Sequence, residues 1–397
     1  MNDVATTTGV LHIRSQFFVD GGAETFLNAL ISHLRADSFR HHVALLLSPG
    51  IDRPCFCDHL LDAPGISLER TRIAWRRSAI RQIVDEVGRI LDDGPYQVVH
   101  THDFRASLVA ACLRLRRRHR FRWVASAHGW FVKPFKVWLH GELEKILVRF
   151  ADRIHLASER LYGWMRVPPR RRLVAIPYFL DPAVFSGDYD AARLRAEWGI
   201  PDECPLLGFV ARLTPEKGHI SLLRAMALVA ERGIGFRLAV VGTGPMRPKL
   251  EALVQTLGLA DRVIFTGYFP DAIEACNAFD LLVHPSLGET MAPALLEALC
   301  LGKPLVATDV GAHRDLVHHG KNGLVVPPGR PKALADAVAH MLAAPANLHR
   351  AAQESRHIRD SFLPPRVAPR YARLYQSLAP GTRALSTPTD SPVPGSC

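Results

Sequence analysis

No apolar run in this chain reaches the eighteen or so residues that a membrane-spanning helix needs. The opening stretch, MNDVATTTGV, has neither a basic n-region nor an apolar h-region, so no signal peptide is expected. No C-x-x-C pair occurs. The seven cysteines, at 55, 57, 112, 204, 276, 300 and 397, are odd in number, which suits reduced thiols in a cytosolic compartment and not a disulfide framework. Cys55 and Cys57 have no second pair with which to complete a metal site. No solenoid repeat is present. What remains is an ordinary globular composition, 48% hydrophobic and 22% charged, over 397 residues, a length that suits two domains.

The net charge of +11 is unevenly spread. Residues 1–180 carry 27 Lys+Arg against 17 Asp+Glu, which is +10, and the rest carry 22 against 21, which is +1. The densest run is RLRRRHRFR, Arg114 to Arg122, and Arg170 to Arg172 form a second group. Two readings stay open: a solvated surface, or attraction to polyanions such as anionic lipid headgroups. The expected location is cytoplasmic, and the basic half raises a peripheral place on the inner face of a membrane.

Short β-rich runs alternate with helical patterns. VLHIRS (10–15), HVALLLS (42–48), YQVVH (96–100), RWVASAH (122–128) and RIHLAS (153–158) read as strands, with amphipathic helices between them. A stretch rich in Pro, Asp and Gly, 176–205, interrupts the pattern. Alternation resumes with LLGFVA, FRLAVVG, RVIFTG, LLVHP, PLVAT and GLVVP. Strand–helix–strand spacing of this kind predicts parallel sheets covered on both faces, here as two doubly wound α/β domains. Such sheets bind ligands beyond the carboxyl ends of their strands, so motifs that follow strands matter most. The tail after about 380 is Ser/Thr/Pro-rich and is expected to be disordered.

Gly21 and Gly22 of DGGAE open a helix after the first strand, where free N–H groups can meet an anion. His102 and His128 follow two neighbouring strands. A lone histidine there is commonly structural, but two that face one cleft suggest a site. ARLTPEKGH (211–219) puts Arg212 and Lys217 on one short loop, an arrangement that suits a pyrophosphate. Gly242 in VVGTGP permits close ligand approach. SLGETMAPALLEALC sets Glu289 ahead of a helix and Glu297 eight positions later, inside it. Between them, Thr290, Met291 and Ala292 precede Pro293, and their N–H groups can hold an anion while the carboxylates accept from hydroxyls. A nucleotide sugar has that distribution of groups. Taken alone, Glu297 reads more readily as an ordinary glutamate on a helix surface.

The ordered set FVARLTPEKGH, VVGTGP, VIFTGY, PSLGETMAPALLEALCLGKPLVATDVGAHRDLV and GKNGLVVPPG resembles the retaining glycosyltransferases of family 4, with the GT-B fold, over residues 10 to 378. That resemblance implies an acceptor-binding Rossmann-like domain (1–180), a linker (181–205), and a nucleotide-sugar domain (206–362) facing the first across a cleft. It also implies a C-terminal helix (363–379) that returns to the first domain, ahead of the tail (380–397). It implies that Gly21 and Gly22 lie near donor phosphates and acceptor, that His128 touches the donor sugar, and that Arg212 and Lys217 neutralise the departing diphosphate. Glu289 and Glu297 match the E-x7-E pair, the first on sugar hydroxyls and the second on the ribose. His102 joins Gly22 and His128 as an acceptor contact. The sequence departs from the family's pattern at Met291 and Ala292, in IPYFLD (176–181), and at Ala211 before Arg212.

The charged residues and the resemblance together imply metal-independent transfer from a UDP- or GDP-sugar, with retention as the resemblance implies, to a glycan or lipid-linked glycan, as in polysaccharide or glycolipid synthesis. No cofactor, metal site or nucleic acid is expected. The one D-x-D, Asp188-Tyr189-Asp190, falls in the linker. Two rivals are a sugar-nucleotide epimerase of the same fold and a non-catalytic nucleotide-sugar or nucleic-acid binder.

Overall fold

The computed structural model describes residues 7–16, 22–47, 57–116, 121–128, 135–165, 170–185, 187, 189–201, 203–269 and 271–379. The expected disordered tail (380–397), Gly21, Asp188, Arg117 and Arg118 lie outside the described residues. The chain divides into two compact units: Met1–Phe179 with Pro364–Cys397, and Leu180–Leu363.

The first unit is built on a seven-stranded sheet: β1 Thr8–Gln16, β2 Phe39–Leu47, β3 Leu68–Ala74, β4 Tyr96–Thr101, β5 Arg122–Ser126, β6 Arg153–Leu156 and β7 Leu173–Ala175. Its order is β3-β2-β1-β4-β5-β6-β7, with every pair parallel. The inner strands are apolar on both faces because helices cover both. Val10, Leu11, Ile13, Val43, Val98, Val99 and Trp123 are fully buried. β3 and β7 are edge strands, and sequence periodicity does not reveal them. LERTRIA buries only Leu68 and Ile73, and LVA is three residues long, so neither leaves an apolar signature.

The second unit has β8 Leu206–Val210, β9 Arg237–Val241, β10 Val263–Gly267, β11 Leu281–His284, β12 Leu305–Thr308 and β13 Gly323–Val326. Its order, β10-β9-β8-β11-β12-β13, is the doubly wound Rossmann arrangement. Leu207, Phe209, Leu238, Val240 and Val283 pack against Leu222 and Met226 of the helix His219–Glu231 and against Leu334 and Val338 of the helix Pro331–Leu342. Residues 181–205 are part of this unit and hold the helix Ala191–Glu197. Asp190 of the D-x-D accepts from Arg193 N at 2.8 Å, as the N-cap of that helix. Arg195 reaches Asp280 at 3.0 Å and the Cys204 carbonyl at 2.7 Å.

The helix Pro364–Leu378 returns to the first unit, as expected. Tyr371 and Tyr375 are fully buried there. Tyr375 Oη lies 2.7 Å from His100 Nδ1, and Tyr371 Oη lies 2.8 Å from His155 Nε2. Among the described residues, no helix is long and apolar enough to cross a membrane.

Candidate functional site

In the second unit the strand order reverses between β8 and β11. The loops that follow these two strands therefore lie side by side, which is where this architecture collects ligand groups. Leu287 N donates to the Glu216 carbonyl at 2.8 Å and ties one loop to the other. Lys217 Nζ donates to Glu289 Oε2 in a nearly buried ion pair. His284 Nε2 is 3.8 Å from the same oxygen, and Ser286 Oγ is 3.5 Å from it. Burial alone would raise the Glu289 carboxyl, but the Lys217 ammonium and His284 more than reverse this and hold it well below the ordinary carboxylate range. Arg212 is half-exposed, 3.8 Å from Glu216. The sequence pattern thus brings Lys217 and Glu289 into contact and leaves the Arg212 guanidinium at the surface of the same loop.

Close backbone approach fixes these loops. Gly242 has φ +135°, and a Cβ there would sit 2.1 Å from the Ala211 carbonyl oxygen. Gly311, at φ +53°, would put a Cβ 2.1 Å from the Glu289 oxygen and 2.5 Å from that of Thr290. Ala312 N donates to the Thr290 carbonyl at 2.7 Å. Thr290, Met291 and Ala292 are buried, so what they can offer an anion is main-chain N–H ahead of the helix Pro293–Cys300. Glu297 is buried in that helix and is no ordinary surface glutamate. Burial, then the nearby Asp271, push its carboxyl up to about 7.

In the first unit the order reverses between β1 and β4. Asp103, just past β4, accepts from Ser15 N at 2.6 Å and from Ser15 Oγ at 3.0 Å. It also caps the helix Phe104–Leu115 through Arg105 N and Ala106 N. Arg14 donates to Glu24 at 2.8 Å and to the His102 carbonyl at 2.8 Å. His102 and His128 meet, with Nδ1 of the first 3.3 Å from Nε2 of the second. His128 Nδ1 lies 2.5 Å from Tyr178 Oη. Gly22 opens the helix Gly22–His33.

The sequence reading missed the rest of this polar core. His12 bridges His102 and His41 at 3.2 and 3.1 Å. His100, Ser126 and His155 form a second chain with two 2.7 Å steps. Burial, assisted by neighbouring cationic and histidine groups, keeps His12, His100, His102 and His128 well below the ordinary histidine value. Burial likewise takes His41 and His155 down to about 4. A signal was present: β1, β2, β4 and β6 each carry a histidine where an aliphatic residue is ordinary, and HTH sets His100 and His102 on one face.

The family profile described as "Glycosyl transferases group 1" matches residues 190–358, and that of the "Glycosyl transferase 4-like domain" matches 21–178. The chain belongs to the group 1, family 4 glycosyltransferases. Two curated members, both from Streptomyces kanamyceticus, illustrate the relation. The alpha-D-kanosaminyltransferase is 32% identical over 219 residues, 53% of this chain and 56% of that protein. The 2-deoxystreptamine glucosyltransferase is 36% identical over 181 residues, 45% of this chain and 47% of that protein. The chain thus spans about half the length of these two relatives. The fold is also that of Anabaena HepE, solved in complex with UDP and glucose, at TM-score 0.76 and 21% identity over 93% of this chain and 100% of that one. The GT-B architecture expected from the sequence is the one observed.

Proposed function

We propose that this family member is a retaining glycosyltransferase that moves a sugar from a nucleotide-diphosphate sugar to a glycan or lipid-linked glycan. The observation that carries the reading is the Lys217–Glu289 pair at the switch point of the second sheet, with Arg212 on the same loop and Glu297 eight positions further along. Departure of a nucleotide diphosphate builds negative charge. Arg212 meets it as a fork, Lys217 as a point charge, and the N–H groups ahead of Pro293 as the positive end of a helix. With those charges supplied by the chain, transfer proceeds without a divalent metal. Glu289, kept ionised by Lys217 and His284, accepts hydrogen bonds from sugar hydroxyls. Held in that pair it is no free nucleophile, which favours departure and attack on one face of the sugar. Glu297 serves the nucleotide end.

The test is a panel of nucleotide sugars with UDP-sugars first, because HepE, alike in fold, was solved with UDP and glucose. Nucleotide diphosphate should be released only when acceptor is added, EDTA should leave the rate unchanged, and the product should keep the donor's anomeric configuration by NMR. Conversion of the donor without acceptor would favour the epimerase.

A second observation favours an acceptor at a membrane surface. Leu115, Leu143, Ile146 and Phe150 are large exposed apolar side chains at the end of the helix Phe104–Leu115, on the helix Phe135–Leu147 and in the turn after it. Of these, Phe150 lines a cavity of about 270 Å³ together with Arg114, Asp152, Arg153, Arg171 and Arg172. Asp152 engages Arg114 at 2.7 Å and Arg122 at 3.3 Å, and with Arg153, Arg171 and Arg172 this leaves net positive charge around Phe150. Each basic group near an anionic leaflet is worth about 1 kcal/mol. Binding to anionic but not neutral vesicles, weakened by salt and by Phe150→Ser with Arg171→Ser and Arg172→Ser, is the expected result. Unchanged binding in that variant would point to a soluble acceptor.

A further inference from the structure

The four linked histidines of the first unit can be read for direction as well as distance. The Leu34 carbonyl only accepts, so His41 Nε2, 3.2 Å from it, carries the hydrogen. A neutral imidazole has one N–H. His41 Nδ1 must therefore accept, and the group that donates to it is His12 Nε2 at 3.1 Å. His12 Nδ1 then accepts from His102 Nε2 at 3.2 Å, and His102 Nδ1 accepts from His128 Nε2 at 3.3 Å. At the end of the series, His128 Nδ1 bears no hydrogen and accepts from the Tyr178 hydroxyl at 2.5 Å. Successive ring centroids are 5.3, 5.5 and 5.6 Å apart, and each ring of this ribbon is tilted from the next by 28°, 26° and 23°. All four rings are neutral because burial depresses each of them.

We propose that His41, His12 and His102 are positioning residues that lock His128 as the Nε2–H tautomer, so that His128 meets a ligand hydroxyl only as an acceptor, through Nδ1. This rests on the reading of His128 as a sugar contact. The consequence is a rule of specificity. The group that displaces the Tyr178 hydroxyl must itself bring a hydrogen, so a deoxy or O-methyl sugar at that position is a poor ligand. One main-chain carbonyl, three rings away, sets this polarity. A ribbon that runs the opposite way would satisfy the same ring-to-ring contacts but would leave a hydrogen-free His41 Nε2 facing the Leu34 oxygen, acceptor against acceptor.

The test is long-range proton–nitrogen NMR on the full chain with ¹⁵N-labelled histidine at pH 7.5. The expected result is four neutral Nε2–H rings at positions 12, 41, 102 and 128. A hydrogen on His128 Nδ1, or a cationic ring among the four, overturns the proposal. His41→Phe keeps a ring but removes the acceptor for His12 Nε2. The ribbon should then reverse, with His12 Nδ1 donating to His102, His102 Nδ1 to His128, and His128 Nδ1 to Tyr178. His128 should switch its resonances to the Nδ1–H pattern, and kcat should fall on the order of tenfold or more, as misset tautomers do. Affinity for nucleotide diphosphate should stay within about twofold, because that ligand is assigned to the other unit. His41→Gln can donate to Leu34 and accept from His12, so it should keep the wild-type pattern and restore turnover. A His128 tautomer unmoved by His41→Phe overturns the proposal. Should that variant not fold, the wild-type and His41→Gln spectra still decide. The only metal-ligand group among the described residues is His12, His100 and His102. Zinc that shifts all three of those rings would make this a metal site and overturn the relay. Absence of sugar transfer with the tautomers as expected would sink the enzymatic reading and leave the positioning intact.

Discussion

The two units share parallel sheets, strand reversal beside the first strand, and polar groups that emerge at the carboxyl ends, from within the sheet at His41 and His12 out to His102 and His128 in the first unit and from the loops alone in the second, yet their chemistry is opposite. The first unit gathers neutral rings whose hydrogens run in one direction. The second gathers full charges: an ammonium against a carboxylate, with a guanidinium nearby. The contrast shows that topology chooses where groups converge and leaves the kind of group to the sequence. Neutral rings suit the recognition of hydroxyls by donor and acceptor sense, and charges suit the stabilisation of a diphosphate.

The most forceful way to break this contrast is to remove the charge. Lys217→Ala should lower kcat on the order of 100-fold, the scale for losing one group that meets developing charge. It also leaves Glu289 buried without its partner, so steady-state rates should be read beside a circular dichroism check of folding. Near-wild-type turnover in a folded variant would take Lys217 out of the leaving-group role. Next in size is the split between the two glutamates. Glu297→Ala should weaken nucleotide diphosphate binding by about tenfold or more, the scale of a hydrogen bond to a charged group. Glu289→Ala should leave that affinity nearly unchanged and lower sugar transfer. Calorimetry with the free nucleotide separates them, and equal losses would merge the two roles.

Backbone approach in the second unit can be tested by stability alone. Gly311→Ala forces a Cβ against the Glu289 and Thr290 carbonyls at a positive φ. A loss of roughly 1–3 kcal/mol in chemical denaturation is expected. An unchanged midpoint would mean that the loop can move away without penalty.

Stability against pH reads groups of both units at once. His41 and His155 bind protons in the unfolded chain near pH 6.5 but in the folded chain only near 4. Their contribution to stability is therefore present above pH 6.5 and lost as pH falls toward 4. The slope is at most about 1.4 kcal/mol per pH unit for each ring. His219 and His313 of the second unit add to the same side. Glu297 runs the other way. Its folded pKa is raised from 4.5 to about 7, so its contribution is present below pH 4.5 and is lost as pH rises to 7. Tm should drop between pH 7 and pH 5, and Glu297→Gln should make that drop steeper. A flat profile in wild type would contradict the buried neutral rings.

Much of the second unit's site was legible because its residues are local. Arg212 and Lys217 share one loop, and Glu289 and Glu297 bracket one helix start, so spacing alone conveys their relation. The histidine ribbon was not legible as a ribbon. Its members sit at 12, 41, 102 and 128, and only the order β2-β1-β4-β5 makes them neighbours. A reader of one strand at a time sees four isolated histidines. The edge strands β3 and β7 were invisible for a related reason: hydrophobic patterning reports burial, and an edge has little of it.

The return of the helix Pro364–Leu378 to the first unit has a consequence for how the chain is made. Tyr375 supplies the last partner of the His100–Ser126–His155 series, at His100 Nδ1, and it follows the whole of the second unit in the chain. Until it arrives, the amino-terminal sheet holds the buried His100 imidazole one hydrogen-bond partner short, a deficit of about 1–3 kcal/mol, whereas His155 already has Ser126 and the Ile176 carbonyl. The second unit, continuous in sequence from Leu180 to Leu363, has no such debt and can close as soon as it is synthesised. The half that is translated first is thus the half that finishes last, and a nascent chain arrested before Tyr371 should carry a mature carboxyl-terminal unit behind an amino-terminal one still open to proteases.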